Sequence, residues 1–98
     1  MKEKMSNVRS TYETEARRLK ALAHPARLRI LARLLENECC VAEATKCLNV
    51  SQPNTSQHLK ALREAGFIAG RRQGTRICYR IADRRAADLL THILRGER

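Results

Sequence analysis

The amino-acid sequence predicts a mostly α-helical domain with one small β-hairpin near its C-terminal end. Three observations carry this reading. Apolar residues recur at spacings of three and four over most of the chain, as in helices with one buried face. The stretch FIAGRRQGTRICYRIA, residues 67–82, instead alternates apolar and basic residues after a Gln-Gly pair, as two strands joined by a tight turn do. Pro, Asn, Ser and Gly fall between these stretches, where helices start and stop.

Taken in order, residues 1–9 are polar and read as a flexible N-terminal tail, leaving residues 10–95 as one domain. Ser10 followed by Glu13 fits a capping box opening a first helix, whose stripe is Tyr12, Ala16, Leu19, Leu22 and Ala23. His24-Pro25 interrupts it, and Pro25 suits the first position of a second helix. That helix, PARLRILARLLE, carries Leu28, Ile30, Leu31, Leu34 and Leu35 over a wide arc and belongs at the centre of the domain. Asn37 to Cys40 form a break. A short third helix runs from Val41 or Ala42 to Leu48, with Ala44, Cys47 and Leu48 inward, and Asn49 suits a left-handed turn after it.

The fourth helix is the unusual one. Ser51 reads as its N-cap, Pro53 fits the first turn, Leu59 and Leu62 recur at helical spacing, and Gly66 closes it. Its first turns carry Gln52, Asn54, Thr55, Ser56, Gln57 and His58, and no carboxylate occurs before Glu64. Amides and hydroxyls followed by Lys60 and Arg63 suit the edges of bases and the phosphates beside them; a merely solvated face is the competing reading. A short helix, a three-residue turn and a helix that is polar at its start form the helix-turn-helix pattern. In the hairpin, Gln73-Gly74 marks the tip, and Ile77, Tyr79 and Ile81 alternate with Arg76, Cys78 and Arg80, giving one apolar and one basic face. Asp83 caps a last helix with the stripe Ala86, Leu89, Leu90, Ile93 and Leu94, ended by Gly96.

Ninety-eight residues make one small domain, and a net charge of +10 calls for a polyanionic partner, nucleic acid before an anionic membrane. No apolar run approaches membrane-spanning length, and MKEKMSNVRS lacks a signal peptide's apolar core, so a cytoplasmic chain without membrane association is expected. The four cysteines, Cys39, Cys40, Cys47 and Cys78, are then thiols rather than a disulfide framework. No nucleophile elbow, phosphate loop or metalloprotease helix occurs, and His24 and His92 lack catalytic company, so an enzyme is not expected. The apolar stripes of the first and last helices exceed what so small a core covers, which predicts a two-fold homodimer through Leu19, Leu22, Leu89, Leu90 and Ile93.

LKALAHPARLRILARLL, followed by CCVAEATKCLNVSQPNTSQHLKALREAGFIAGRRQGTRICYRI, resembles the ArsR/SmtB family of bacterial winged-helix repressors from about Thr11 to Leu94. The resemblance implies a winged helix-turn-helix homodimer on double-stranded operator DNA, released by a metal, a metalloid or a thiol-reactive inducer. It places base contacts at Ser51, Gln52, Asn54, Thr55, Gln57 and His58, with Lys60 and the wing residues Arg71, Arg72 and Arg76 on phosphates or in the minor groove. Another reading makes His58 a half-buried support of the helix. The alternative for the whole chain is a winged-helix regulator or protein-interaction module that senses neither metal nor redox state.

The resemblance is incomplete at the family's sensor sites. Cys40 matches the first cysteine of the thiol site at the start of the third helix, but Ala42 stands where the second belongs. Cys47, seven residues on, is ~10 Å away along a helix, too far to share one ion at Zn–S distances of ~2.3 Å. On the last helix Asp83 matches a carboxylate ligand, but Arg85 replaces a histidine, Gly96 falls where a later one belongs, and His92 is out of register. Three readings of Cys39 and Cys40 follow: a trivalent metalloid or soft divalent metal held with help across the dimer, a thiol-redox switch, or no sensor at all.

Overall fold

The computed structural model describes residues 8–48 and 51–95. Within them the order is α1 (Val8–Leu22), α2 (Pro25–Glu36), β1 (Cys39–Cys40), α3 (Val41–Leu48), α4 (Gln52–Glu64), β2 (Ile68–Gln73), β3 (Arg76–Ile81) and α5 (Arg84–Leu90), which runs into a π-helical turn at Thr91–Arg95. Most of the expected tail, and the turn and stop assigned to Asn49 and Gly96, lie outside the described residues, as does the side chain of Cys47. None of the described helices is long and apolar enough to cross a membrane.

Local chemistry sets most boundaries. The His24 side chain accepts a hydrogen bond from the Ala26 amide at 3.1 Å, capping α2 just ahead of Pro25. Asp83 accepts from the Arg85 and Ala86 amides at 3.0 and 3.2 Å and caps α5. The Cys40 amide donates to Glu43 at 3.0 Å, the backward half of a capping box at the start of α3. The expected start of α1 at Ser10 is corrected: the described helix already includes Val8, so Ser10 lies within its span rather than ahead of it.

The break at residues 37–40 also holds more than a loop. Cys39 and Cys40 pair antiparallel with Tyr79 and Cys78, which makes a three-stranded sheet in the order β1-β3-β2. Two residues are too few for alternation to show in a sequence. The hairpin turns through Gly74-Thr75, with Gln73 opposite Arg76 and Gly74 at φ 64°. Ile30, Leu31 and Leu34 of α2 form the centre of the core. Around them pack Leu22, Cys39, Ala44, Leu59, Leu62, Phe67, Ile68, Tyr79, Ala86 and Leu90. The sheet lays Tyr79 on this core and leaves the tip of the wing in solvent.

Candidate nucleic-acid interface

Helix α4 is built to show one face. Ser51 caps it, accepting from the Asn54 amide at 3.3 Å, and Pro53 occupies the first turn. Leu59 and Leu62 bury the inner face. Gln52, Asn54, Ser56, Gln57 and Lys60 are exposed, and the first turn holds no acidic residue. Backbone N–H dipoles at this end of the helix and the neighbouring side-chain donors both favour an anionic partner.

Two residues expected on that face sit elsewhere. Thr55 is 0% exposed, and its hydroxyl donates to the Ser51 carbonyl at 3.0 Å, so it braces the helix from inside and presents nothing to a base. Its spacing from Leu59 and Leu62, four and seven residues, puts it on their face and was the signal for this. His58 is half-buried; Arg27 Nε donates to its Nδ1 at 3.2 Å, and its ring lies 4.5 Å from that of His24. Burial, then the neighbouring His24 and the Arg27 guanidinium, hold its pKa below the ordinary 6.5. Arg27 also donates to the Ala21 carbonyl at 3.2 Å, so this cluster ties α4 to the α1–α2 corner.

The far end of α4 is anchored by an arginine that sequence reasoning passed over. The Gly66 amide donates to Arg63 O and the Phe67 amide to Leu62 O, both at 3.0 Å, a Schellman ending that needs the φ of 88° at Gly66. Arg18 of α1 then donates from Nε to the Ala65 carbonyl at 2.8 Å and from Nη2 to Asp83 at 2.6 Å, and pairs with Glu15 at 3.0 Å. Its guanidinium lies 4.7 Å above the centre of the Phe67 ring. Arg18 thus joins α1, the end of α4 and the cap of α5 at one point.

On the wing, Arg72 and Arg76 are exposed and pair with no carboxylate among the described residues. Arg71 has a partner within the chain: its Nη2 lies 2.8 Å from Glu38 in an exposed ion pair that ties β2 to the segment before β1. Between the wing and the start of α4 runs a cleft of about 270 Å³ lined by Cys40, Val41, Ala42, Gln52, Thr75, Arg76 and Ile77.

The pairing of Cys39 with Cys40 as joint ligands does not survive the geometry. Successive residues of a strand point to opposite faces, and Cys39 lies in the core opposite Tyr79 while Cys40 faces the cleft. Asp83, the other family ligand position, spends one oxygen on Arg18 and the other on the α5 cap. No group of three His, Cys, Asp or Glu side chains gathers at metal-binding distance among the described residues. Among the described residues of one chain, the family's metal-ligand sets are therefore incomplete.

Of the five apolar residues expected on a dimer surface, Leu19, Leu89 and Ile93 are 49%, 44% and 62% exposed. Leu22, three residues beyond Leu19, and Leu90, directly after Leu89, are instead buried in the core of their own chain.

A helix-turn-helix with a basic β-wing beside its second helix defines the winged helix-turn-helix class. Residues 24–69 match the family described as bacterial regulatory protein, arsR family. The HTH-type transcriptional repressor SmtB of Mycobacterium tuberculosis is 44% identical over 72 residues, covering 74% of this chain and 53% of its own length. The HTH-type transcriptional regulator Rv0081 of the same organism is 42% identical over 80 residues, covering 81% of this chain and 70% of its own. The Rv0081 crystal structure superposes with a TM-score of 0.79 at 40% identity, covering 87% of this chain and 86% of that one. A solution structure of Mb0332 from Mycobacterium bovis, described as a homodimeric winged helix-turn-helix DNA-binding domain, gives 0.83 at 33% identity, covering 90% and 82%. The chain belongs to the ArsR family. It spans about half the length of SmtB.

Proposed function

We propose that this chain is a sequence-specific DNA-binding transcriptional repressor that acts as a homodimer on operator DNA. The observation that carries it is the exposed row Gln52, Asn54, Ser56 and Gln57 at the capped start of α4, beside wing residues Arg72 and Arg76, which pair with no carboxylate among the described residues. Amide side chains offer paired donors and acceptors that match adenine edges in the major groove, while the arginines hold the phosphates or enter the minor groove. Ser51 and Lys60 belong to the flanking backbone contacts, and His58 to positioning α4. The relative named as a repressor, SmtB, and the homodimeric neighbour support the same reading. The apolar Leu19, Leu89 and Ile93 form the dimer contact, which sets two recognition helices on two half-sites.

Release from the operator belongs to a thiol-reactive inducer, because thiols are present and the family's metal-ligand sets are incomplete among the described residues. The test is a titration of the DNA upstream of the gene against random duplex over a series of salt concentrations. Preference for the upstream segment and a log-linear loss of affinity with salt are expected. Equal affinity for every duplex would remove the repressor assignment.

A further inference from the structure

We propose that Cys40 and Cys78 form a cross-strand dithiol that closes to a disulfide under a hydroperoxide oxidant and so loosens the grip on DNA. The two residues are direct partners in the antiparallel β1–β3 register, so their side chains share a face of the sheet. Antiparallel partners have Cα atoms roughly 4.5–5.5 Å apart, inside the roughly 4.4–6.8 Å that a disulfide spans. Cys39, next in sequence, is on the opposite face with Tyr79 and does not reach either thiol without unpairing β1. Cys78 is the accessible member: it is half-buried, and its thiol rests on Gln73 Oε1 at 3.3 Å, a weak contact that it exchanges without loss of core packing. Cys40 is buried against the cleft between Gln52 and the Thr75–Ile77 end of the wing.

With hydrogen peroxide, the sulfur of Cys78 attacks one oxygen, the O–O bond breaks, and hydroxide leaves with the thiol proton as water. The sulfenic acid on Cys78 is then attacked by the sulfur of Cys40. The S–S bond forms, the S–O bond breaks, and the hydroxide departs with the Cys40 proton as a second water. Two thiols and one peroxide thus give one disulfide and two waters; each sulfur is oxidised by one electron and the peroxide oxygens are reduced. The bond draws the two Cβ atoms to about 3.8 Å and frees Gln73. Cys40 opens α3 and Cys78 lies in the wing strand, so the bond resets the wing against the helix-turn-helix. Gln52 and Arg76, on opposite walls of the same cleft, then no longer match one duplex.

The bond itself stands on the register alone; its effect on DNA rests on the operator-binding reading above. The experiment treats the full chain with hydrogen peroxide, then maps linked peptides by mass spectrometry and measures affinity for the upstream DNA before and after, with and without dithiothreitol. Expected are an intrachain Cys40–Cys78 peptide and a reversible loss of affinity of about five- to a hundredfold. Cys39→Ala and Cys47→Ala should keep both effects, while Cys78→Ser and Cys40→Ala should lose both. A link through Cys39 or Cys47, a link only between chains, or no link overturns the dithiol. A Cys40–Cys78 link with unchanged affinity overturns the switch. A reduced chain indifferent to DNA sequence condemns the repressor reading, and the peptide map still decides the bond.

Discussion

Thr55 and Gln57 lie within one turn of α4 and have opposite duties. The Thr55 hydroxyl braces the cap from the core, whereas the Gln57 amide faces solvent. Thr55→Val should therefore lower unfolding stability by about 1 kcal/mol in urea titrations, the net value of one hydrogen bond, and leave base preference unaltered. A shift in base preference would put Thr55 back at the DNA. His58 adds a pH signature. Its folded pKa is depressed, so the unfolded chain binds a proton that the folded chain resists. Its contribution is complete above pH 6.5 and declines as pH drops below that, toward the lower folded value. His58→Gln, which retains an acceptor for Arg27, should flatten stability between about pH 7 and 5; an unaltered slope would assign the titration elsewhere. The caps at Ser51 and Asp83 were legible in the sequence because capping is local chemistry. The burial of Thr55 was legible only in helical phase, by counting forward to Leu59. The Arg27–His58 and Arg71–Glu38 contacts bridge more than thirty positions each, and no local pattern announces them.

At the scale of elements, Arg18 decides how α4 sits. It joins α1 to the final carbonyls of α4, where a cation is favoured, and to the Asp83 cap of α5. That hydrogen bond, against some opposing burial, holds Asp83 below its ordinary 3.8. The stabilisation is present above pH 3.8 and fades as acid drives the pH toward the lower folded value. Arg18→Met keeps the stem over Phe67 and removes the charge. It should cost about 1–3 kcal/mol, at the lower end because the pair is partly solvated, and should blunt the acid limb of a stability–pH profile. An unchanged acid limb would mean that Asp83 is stabilised by its cap amides alone. The helices and the hairpin were readable from apolar periodicity. The strand β1 was not: a two-residue strand exists only through its partners on β3, and with it went the true company of Cys40.

For the whole molecule, two properties act together: an excess of positive charge and apolar patches on the first and last helices. Replacing Leu19 and Ile93 by Glu should leave a folded monomer in sedimentation velocity. It should also weaken operator binding by about a hundredfold, because the second half-site no longer comes tethered to the first. Tight binding by that monomer would refute the two-fold arrangement. The dimer stripe was half legible. Helical spacing located the right helices, but which leucine of a stripe turns inward depends on how the whole core closes, and Leu22 and Leu90 turn inward. The most direct measurement is a scan of every single base-pair substitution in the bound upstream duplex, made with the wild type, Gln57→Ala and Arg72→Ala at one salt concentration. If α4 reads bases while the wing holds the backbone, Gln57→Ala abolishes discrimination at one position in each half-site. Arg72→Ala should weaken every duplex alike and reduce the salt dependence. Identical profiles for the two variants would contradict that division of labour.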